Sequence, residues 1–258
     1  MIRPPALYHF SEKKGIHSEV IRNLKQNLLE LTIFILVIVL LAVGAYSRNR
    51  IWNDGVVLWT DTIQKSPNKA RPYVNLGYAY LSLGDYEKAF ETTKKAILID
   101  TRFAPAYLNL SGIYQKWGDL RQAIQMGEKS LEIDPKLYVV HYAMGGIYFD
   151  DKQYEKAEES YKKFIQIYPY FPEVHNFLAV AYMSQRRFDK AIEAFEGEIR
   201  VNPFHSLAHV NLGQVYWYEF RNREKALTHL KAALLIDPFL PDRTKIKRLV
   251  QTIEESSS

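Results

Sequence analysis

Apolar side chains between residues 70 and 240 recur with the spacing of amphipathic helices. In the first block, Tyr73, Leu76 and Tyr80 stand at offsets of 0, 3 and 7, which places them on one helical face. A Gly84-Asp85 pair follows, a combination typical of turns. The next block carries a second apolar stripe, made of Tyr86, Ala89, Phe90, Ala96 and Ile97. The pattern therefore predicts two antiparallel helices joined by a short turn.

The same two-helix pattern returns every 34 residues. Alanine marks the second helix at Ala89, Ala123, Ala157, Ala191 and, one residue late, Ala226. Tyrosine marks the first helix at Tyr80, Tyr114, Tyr148, Tyr182 and Tyr216. Proline closes the unit at Pro135, Pro169, Pro203 and, again one residue late, Pro238; Pro67 lies two periods before Pro135, and Thr101 occupies the slot between them. Marks that stay in register over this length indicate an array of helical repeats.

Small residues recur at one position of the first helix. They are Gly77, Ser111, Gly145, Ala179 and Gly213. Because a small side chain lets two helix backbones approach closely, we expect the two helices of each unit to cross at this position.

These marks resemble the tetratricopeptide repeat, a helix-turn-helix unit of 34 residues. Five units fit, at residues 70–103, 104–137, 138–171, 172–205 and 206–240, and the last has one additional residue near 220–223. The resemblance implies an all-α fold in which the helix pairs stack into a right-handed α-solenoid. It also implies a concave groove, lined by the first helix of each pair, that binds a protein or a peptide.

The resemblance identifies the first-helix positions that face this groove. Carried onto this chain, the predicted partner-binding residues are Arg71, Asn75, Tyr78, Asn109, Lys116, Tyr142, Phe149, Asn176, Asn211, Gln214, Trp217 and Tyr218. An asparagine ladder that would hold a peptide backbone is present in units 1, 2 and 5 and is broken by Ala143 and Phe177. Rigid rings suit a peptide or a partner helix because they lose little entropy on binding. The alternative is that some of these rings pack against neighbouring helices.

Both ends of the array have recognisable sequence patterns. Residues 48–69 continue the register backwards and predict a half-repeat linker. Residues 241–258 predict a capping helix and a tail, because an open solenoid needs a polar outer face at its end. The apolar stripe of this helix is Ile246, Leu249, Val250 and Ile253. Its basic side would face solvent, with contact to anionic lipid or nucleic acid as the alternative.

The chain before the repeats divides into a polar segment, residues 1–27, and an apolar one, residues 28–47. The apolar segment has the length of a transmembrane helix and predicts a single membrane span. The alternative is a signal peptide cleaved after Ala45, although the apolar run exceeds the usual length of such a region. An excess of Lys and Arg before the span places the N-terminus in the cytoplasm and the repeats on the periplasmic or outer face.

Composition and charge narrow the choice of function. The net charge is +5, but cations and carboxylates alternate along the helices, so no nucleic-acid partner is expected. The chain has no cysteine, which excludes disulfides and thiolate chemistry. His141, His175 and His209 stand one repeat apart and are interpreted as repeat packing rather than metal ligands. No catalytic motif is present, so we expect no enzyme activity, no cofactor and no small-molecule substrate.

A second resemblance covers residues 47–77. The stretch is similar to a junction in polytopic, glycosyltransferase-like membrane proteins that carry C-terminal tetratricopeptide arrays, and the shared residues include Trp52, Asp54, Trp59 and Pro67. It implies an outward-facing array, with no catalytic residue to carry over. The leading hypothesis is a membrane-anchored scaffold that binds proteins or peptides in its groove. The alternatives are an accessory or truncated relative of a membrane protein glycosyltransferase, and a secreted binding protein released by signal cleavage.

Overall fold

The computed structural model describes residues 54–256 together with Leu36, Ile38 and Val39, which are helical. The predicted polar segment and the rest of the predicted membrane span lie outside these residues. Among the residues described, no helix combines the length and the apolar character needed to cross a bilayer. The chain separates into two compact parts, residues 1–62 and 63–258.

Twelve helices and no strand are found between residues 54 and 256. The first, α1 (Gly55–Lys65), begins where the Asp54 carboxylate accepts a hydrogen bond from the Val56 amide at 2.9 Å, and none of its residues is buried. The others are α2 (Ala70–Ser82), α3 (Tyr86–Ile99), α4 (Ala104–Trp117), α5 (Leu120–Ile133), α6 (Val139–Asp150), α7 (Tyr154–Ile167), α8 (Val174–Ser184), α9 (Phe188–Val201), α10 (Ser206–Tyr218), α11 (Arg223–Ile236) and α12 (Arg243–Glu255).

Helices α2 to α11 form five pairs, α2 with α3 through α10 with α11, and each pair packs along its length. The prediction of an all-α array of helix pairs is confirmed. Where the two helices of a pair cross, a small residue on one helix packs against a larger side chain on the other. A Cβ added at Gly145 would lie 2.5 Å from the Tyr161 ring, and one at Gly213 would lie 2.7 Å from Leu230 Cγ. In the second unit both crossing residues are small, Ser111 and Gly127, and the Met144 thioether of the next unit fills the space.

The turn inside each pair has one hydrogen bond in common. The carbonyl of the repeated tyrosine accepts the backbone N–H at the start of the second helix, as Tyr80 does from Asp85 at 3.0 Å and Tyr148 from Gln153 at 2.8 Å. In the fifth unit the donor is Asn222, one residue further along, because this turn contains an extra residue. The repeated tyrosines therefore tie each turn to the first helix.

The buried core is uneven along the array. One continuous cluster runs from Ala123 through the last three units to Ile253 in α12. The first two units hold two smaller clusters, one around Val74 and Ala96 and one around Leu110 and Ile113. Each large apolar side chain removed from water contributes about 1.5–3 kcal/mol, so the second half of the array has the larger share of hydrophobic stabilisation.

Helix α12 covers the last pair with one apolar face. Ile246, Val250 and Ile253 are buried, and Leu249 packs against the core while half-buried. The Arg223 guanidinium donates to the carbonyls of Ile253 at 2.9 Å and Glu254 at 3.0 Å, which satisfies acceptors that the end of α12 leaves free. This helix therefore acts as a cap.

Candidate binding groove

The inner face of the array is built by the first helix of each pair. Consecutive first helices contact each other directly, α2 with α4, α4 with α6 and α6 with α8. No two consecutive second helices between residues 63 and 256 contact to the same extent. An array whose first helices lie closer together curves towards them, so the concave face carries the side chains of α2, α4, α6, α8 and α10.

The N-terminal end of this face is an open cleft of about 700 Å³. Arg71 and Asn75 line one side, and Phe103 and Leu137 supply apolar surface on the other. Arg102 also lines the cleft, and neither this guanidinium nor that of Arg71 forms an ion pair among the described residues. The cleft offers cationic and amide donors beside apolar surface, the combination that a peptide side chain and backbone require. Tyr78 is exposed one turn further along α2.

The middle of the inner face is filled by the protein's own side chains. The Tyr142 ring packs against Phe164, Phe171 and Phe177, with ring centroids 5.3–6.0 Å apart. Burial raises the pKa of its phenol, so this hydroxyl remains protonated. Phe149 packs against Tyr154 with centroids 5.5 Å apart. These rings contribute to packing within and between units, which is the alternative that the sequence left open.

Two polar side chains also contact each other across the middle of the inner face. The Gln115 amide donates to the Asp150 carboxylate at 2.7 Å, a bond between the first helices of units 2 and 3. Lys116, next to Gln115 on α4, is exposed. A partner that crosses the middle of the groove would therefore meet aromatic rings packed against one another and a polar pair that is already hydrogen-bonded.

The C-terminal end is open again, in a cleft of about 400 Å³ between α10 and the cap α12. Asn211, Gln214 and Tyr218 line it from α10, and Ile246 and Leu249 line it from α12. Three of these five side chains stand at predicted groove positions. Trp217, another predicted position, is partly buried and packs against the core, with the Arg221 guanidinium 6.0 Å from its ring centroid.

The predicted asparagines differ in what they contact. Asn109 is buried, and its amide donates to the Val74 carbonyl of the preceding first helix at 2.8 Å. The Asn211 amide reaches the Asn176 side-chain oxygen at 3.5 Å, and Asn176 is itself buried. These bonds link successive first helices. Asn75 is partly exposed and lines the N-terminal cleft, so it keeps surface for a partner.

Glu198 is a structural residue that the sequence pattern did not identify. Its side chain is 0% exposed. One carboxylate oxygen accepts the Glu173 N–H at 2.9 Å and the other accepts the Asn176 N–H at 3.3 Å, so it caps the start of α8. The other units carry Ala96, Ser130, Phe164 and Ala233 at this register. A charged residue at an otherwise apolar or small position was the signal that could have revealed it.

Two of the repeated histidines connect neighbouring units. His175 Nε2 lies 2.9 Å from the Pro169 carbonyl, and His209 Nε2 lies 3.3 Å from the Pro203 carbonyl, so each ring donates to the turn that precedes its helix. His209 Nδ1 also lies 3.1 Å from His229 Nδ1. Burial lowers the pKa of both rings in this pair. Among the residues described, no group of three or more potential ligands is arranged to hold a metal ion.

Comparison with known families agrees with this architecture. Models described as "Tetratricopeptide repeat" match residues 70–102, 104–137, 138–171 and 178–241. The chain belongs to the tetratricopeptide repeat family. No curated protein matches the chain. The family matches include units 1 to 3 one by one and a two-unit block at the C-terminal end.

Solved tetratricopeptide structures share the fold. YrrB, described as a tetratricopeptide protein with an unusual peptide-binding site, is 24% identical, with a TM-score of 0.59 over 75% of this chain and 97% of its own. MamA is 25% identical, with a TM-score of 0.57 over 62% and 94%. MamA from Desulfovibrio magneticus RS-1 is 20% identical, with a TM-score of 0.59 over 65% and 94%.

Proposed function

We propose that this tetratricopeptide chain is a scaffold that binds an extended segment of another protein along its concave face. The observation that carries the proposal is the contrast within that face. Both ends are open clefts with apolar surface and amide or cationic groups, whereas the middle is filled by the protein's own rings. A partner segment would therefore be held chiefly at its two ends.

The chemistry of the clefts favours a peptide over a small metabolite. Both clefts are open to solvent and mix polar with apolar surface, whereas small-molecule sites are mostly enclosed and apolar. The exposed rings of Tyr78 and Tyr218 on the first helices can cover a peptide with little loss of side-chain entropy. YrrB shares the fold and is described as having a peptide-binding site, but at its level of identity the argument for this chain stands on its own clefts.

The finer proposal is that residues 28–47 anchor this scaffold in a membrane, with the N-terminus in the cytoplasm and the repeats on the periplasmic or outer face. Its support is the uncharged apolar run after Glu30 and the distribution of Lys and Arg around it. A relation to membrane protein glycosyltransferases stays a prediction from residues 47–77.

Capture of partners from solubilised membranes tests the groove. We expect the double variants Arg71→Ala with Tyr78→Ala, and Gln214→Ala with Tyr218→Ala, each to lose bound partner, because each removes exposed surface from one end of the face. Glu132→Ala, an exposed change on the second helix α5, is the matched control. Equal capture by the wild type and both groove variants, with unchanged helical content, would contradict concave-face binding.

A further inference from the structure

The turns between successive units end in one projecting side chain each. In four of these turns an Asp or Asn side chain accepts the backbone N–H two residues on, which fixes the projecting residue in place. The bonds run from Arg102 to Asp100 at 2.9 Å, from Lys136 to Asp134 at 3.0 Å, from Phe204 to Asn202 at 3.2 Å and from Phe239 to Asp237 at 2.8 Å. Tyr170 occupies the same register in the remaining turn. We call Arg102, Lys136, Tyr170, Phe204 and Phe239 the tip row.

The three aromatic side chains of the tip row are almost fully exposed to solvent. Tyr170 is 81% exposed, Phe204 is 76% exposed and Phe239 is 93% exposed. None of them contacts another ring in the part of the chain that the structure describes. Because the turns already hold Phe204 and Phe239 in position, burying these rings against another surface would cost little backbone entropy.

The tip row lies along a single edge of the array. Paired helices are antiparallel, so the turns between units fall at one end of the helices and the turns inside units at the other. Residues of the tip row recur once per unit, so their side chains stand apart as separate projections rather than as one continuous patch. Leu235, 83% exposed and one turn before Phe239, adds apolar surface at the last tip.

Cations accompany these rings. Arg102 and Lys136 begin the row, and Lys247 and Arg248 are exposed in the first two turns of α12, shortly after Phe239. Among the described residues none of these four cations forms an ion pair. The carboxylates of Asp100, Asp134 and Asp237 accept backbone N–H groups within their turns, and Asp242 is paired with Lys245 at 2.8 Å. Glu173 adds one further exposed carboxylate.

We propose that the tip-row edge docks on an anionic lipid surface. Tyr170, Phe204 and Phe239 enter the headgroup layer, and the four cations contact lipid phosphates. Aromatic rings beside Lys and Arg are the combination that settles at a membrane interface. A fluid interface accepts separate projecting rings without preformed pockets, whereas a protein partner would need a pocket for each ring at the spacing of the repeats.

Of the rings and cations in this proposal only Arg102 also lines a groove cleft, so docking of the tip-row edge does not depend on peptide binding in the groove. It also differs from the predicted anchor at residues 28–47, which would tether the chain but would not orient the array. Only residues 48–69 separate that predicted span from the first unit, so a tethered array would stay close to lipid.

The absence of cysteine allows a direct test on the full chain. Single cysteines replace Thr244, exposed in the first turn of the cap helix α12, or Glu219, exposed in the turn inside unit 5 at the opposite edge. Each carries a fluorophore, and the chain is reconstituted into phosphatidylcholine vesicles with or without phosphatidylserine, containing a nitroxide headgroup lipid in both leaflets. We expect quenching at position 244 to exceed that at 219 by about twofold or more with phosphatidylserine, and the excess to fall at high salt.

Two double variants separate the contribution of the rings from that of the cations. Phe204→Ser with Phe239→Ser, and Lys247→Gln with Arg248→Gln, should each abolish most of the excess quenching at position 244. Leu83→Ser, an exposed apolar change in an opposite-edge turn, should leave it unchanged. Equal quenching at the two positions would overturn the proposal, because the anchor would then account for all of the membrane contact. The proposal would also be overturned if the ring variants lost a protein partner while the quenching at position 244 stayed unchanged.

Discussion

The first two units and the last three carry the same repeat marks but differ in packing and in turn chemistry. Units 1 and 2 have two small buried clusters, whereas one continuous core runs through units 3 to 5 into the cap. Units 1 and 2 place Gly84 and Gly118 at the left-handed position of the turn, with φ of 78° and 80°. Units 3 to 5 place Lys152, Arg186 and Arg221 there, with φ between 53° and 59°.

The difference shows how strain is distributed along the array. A residue with a Cβ costs roughly 1–2 kcal/mol in the left-handed region, whereas glycine adopts it freely. The three strained turns all belong to the part with the continuous core, whose burial is large enough to offset them. We therefore expect units 1 and 2 to open locally at a lower free energy than units 3 to 5, which hydrogen exchange would detect.

Substitution of the buried carboxylate that caps α8 in unit 4 should change stability most. Glu198→Ala leaves two backbone N–H groups without an acceptor and should lower the free energy of unfolding by about 3 kcal/mol. Glu198→Gln keeps one side-chain oxygen and should lose less. Urea denaturation measures the change, and hydrogen exchange should show lost protection in units 3 to 5 but not in unit 1. Exposed Glu193→Gln on the same helix should change stability by less than about 0.5 kcal/mol.

Two adjacent glycines in unit 3 should respond with opposite signs. At Gly145 a Cβ would collide with the Tyr161 ring, so Gly145→Ala should destabilise by about 1–3 kcal/mol. At Gly146 the nearest atoms are 3.7 Å and 3.8 Å away, so Gly146→Ala should gain about 0.5–1 kcal/mol from helix propensity. Thermal and urea unfolding measure both. A loss of similar size at both positions would show that the close crossing does not control packing here.

Exchanging the turn residues tests the uneven strain. Gly118→Lys should destabilise by about 1 kcal/mol, since a Cβ there meets open space and only the backbone conformation resists it. Lys152→Gly should stabilise by up to about 1 kcal/mol by relieving the same strain. Urea unfolding of both variants measures the difference. A gain of stability at both positions, or a loss at both, would contradict the proposed difference in turn strain between the two halves.

The weakest response should be a pH dependence of stability that arises in unit 5. Burial lowers the pKa of His209 and His229 in the folded chain. As the pH falls below about 6.5, the usual pKa of histidine, the unfolded chain therefore binds more protons than the folded chain. Stability is therefore complete above that value and falls as the pH drops through it. The Glu196 carboxylate opposes this shift at His229, and the Lys225 ammonium adds to it.

Comparison of the wild type with a His229 variant measures how much this histidine pair contributes to the pH dependence of stability. Burial also lowers the pKa of His141, which gives every variant the same background. His229→Gln should lose less stability than the wild type between about pH 7.5 and about pH 5.5, measured by urea midpoints. If the two proteins lose the same amount, the pair has no part in the acid sensitivity.

Much of the fold could be predicted because local rules determine it. Helical spacing and the 34-residue period locate the pairs, and Gly145 and Gly213 lie at close crossings as expected. The site was harder to predict, because register specifies which side chains face inward but not how tightly the first helices approach. The Asn109 amide already donates to the Val74 carbonyl, and the Tyr142 ring already packs against neighbouring rings. Each contact depends on a neighbouring unit or on the second helix.

The most direct test of concave-face binding is site-specific photocrosslinking in cells. A photoreactive residue replaces Tyr78 or Tyr218 on the inner face, or Glu132 on the second helix α5 as the outer-face control. We expect positions 78 and 218 both to crosslink to the same protein and position 132 not to crosslink to it. Crosslinking at position 132 alone, or equally at all three positions, would contradict binding in the groove.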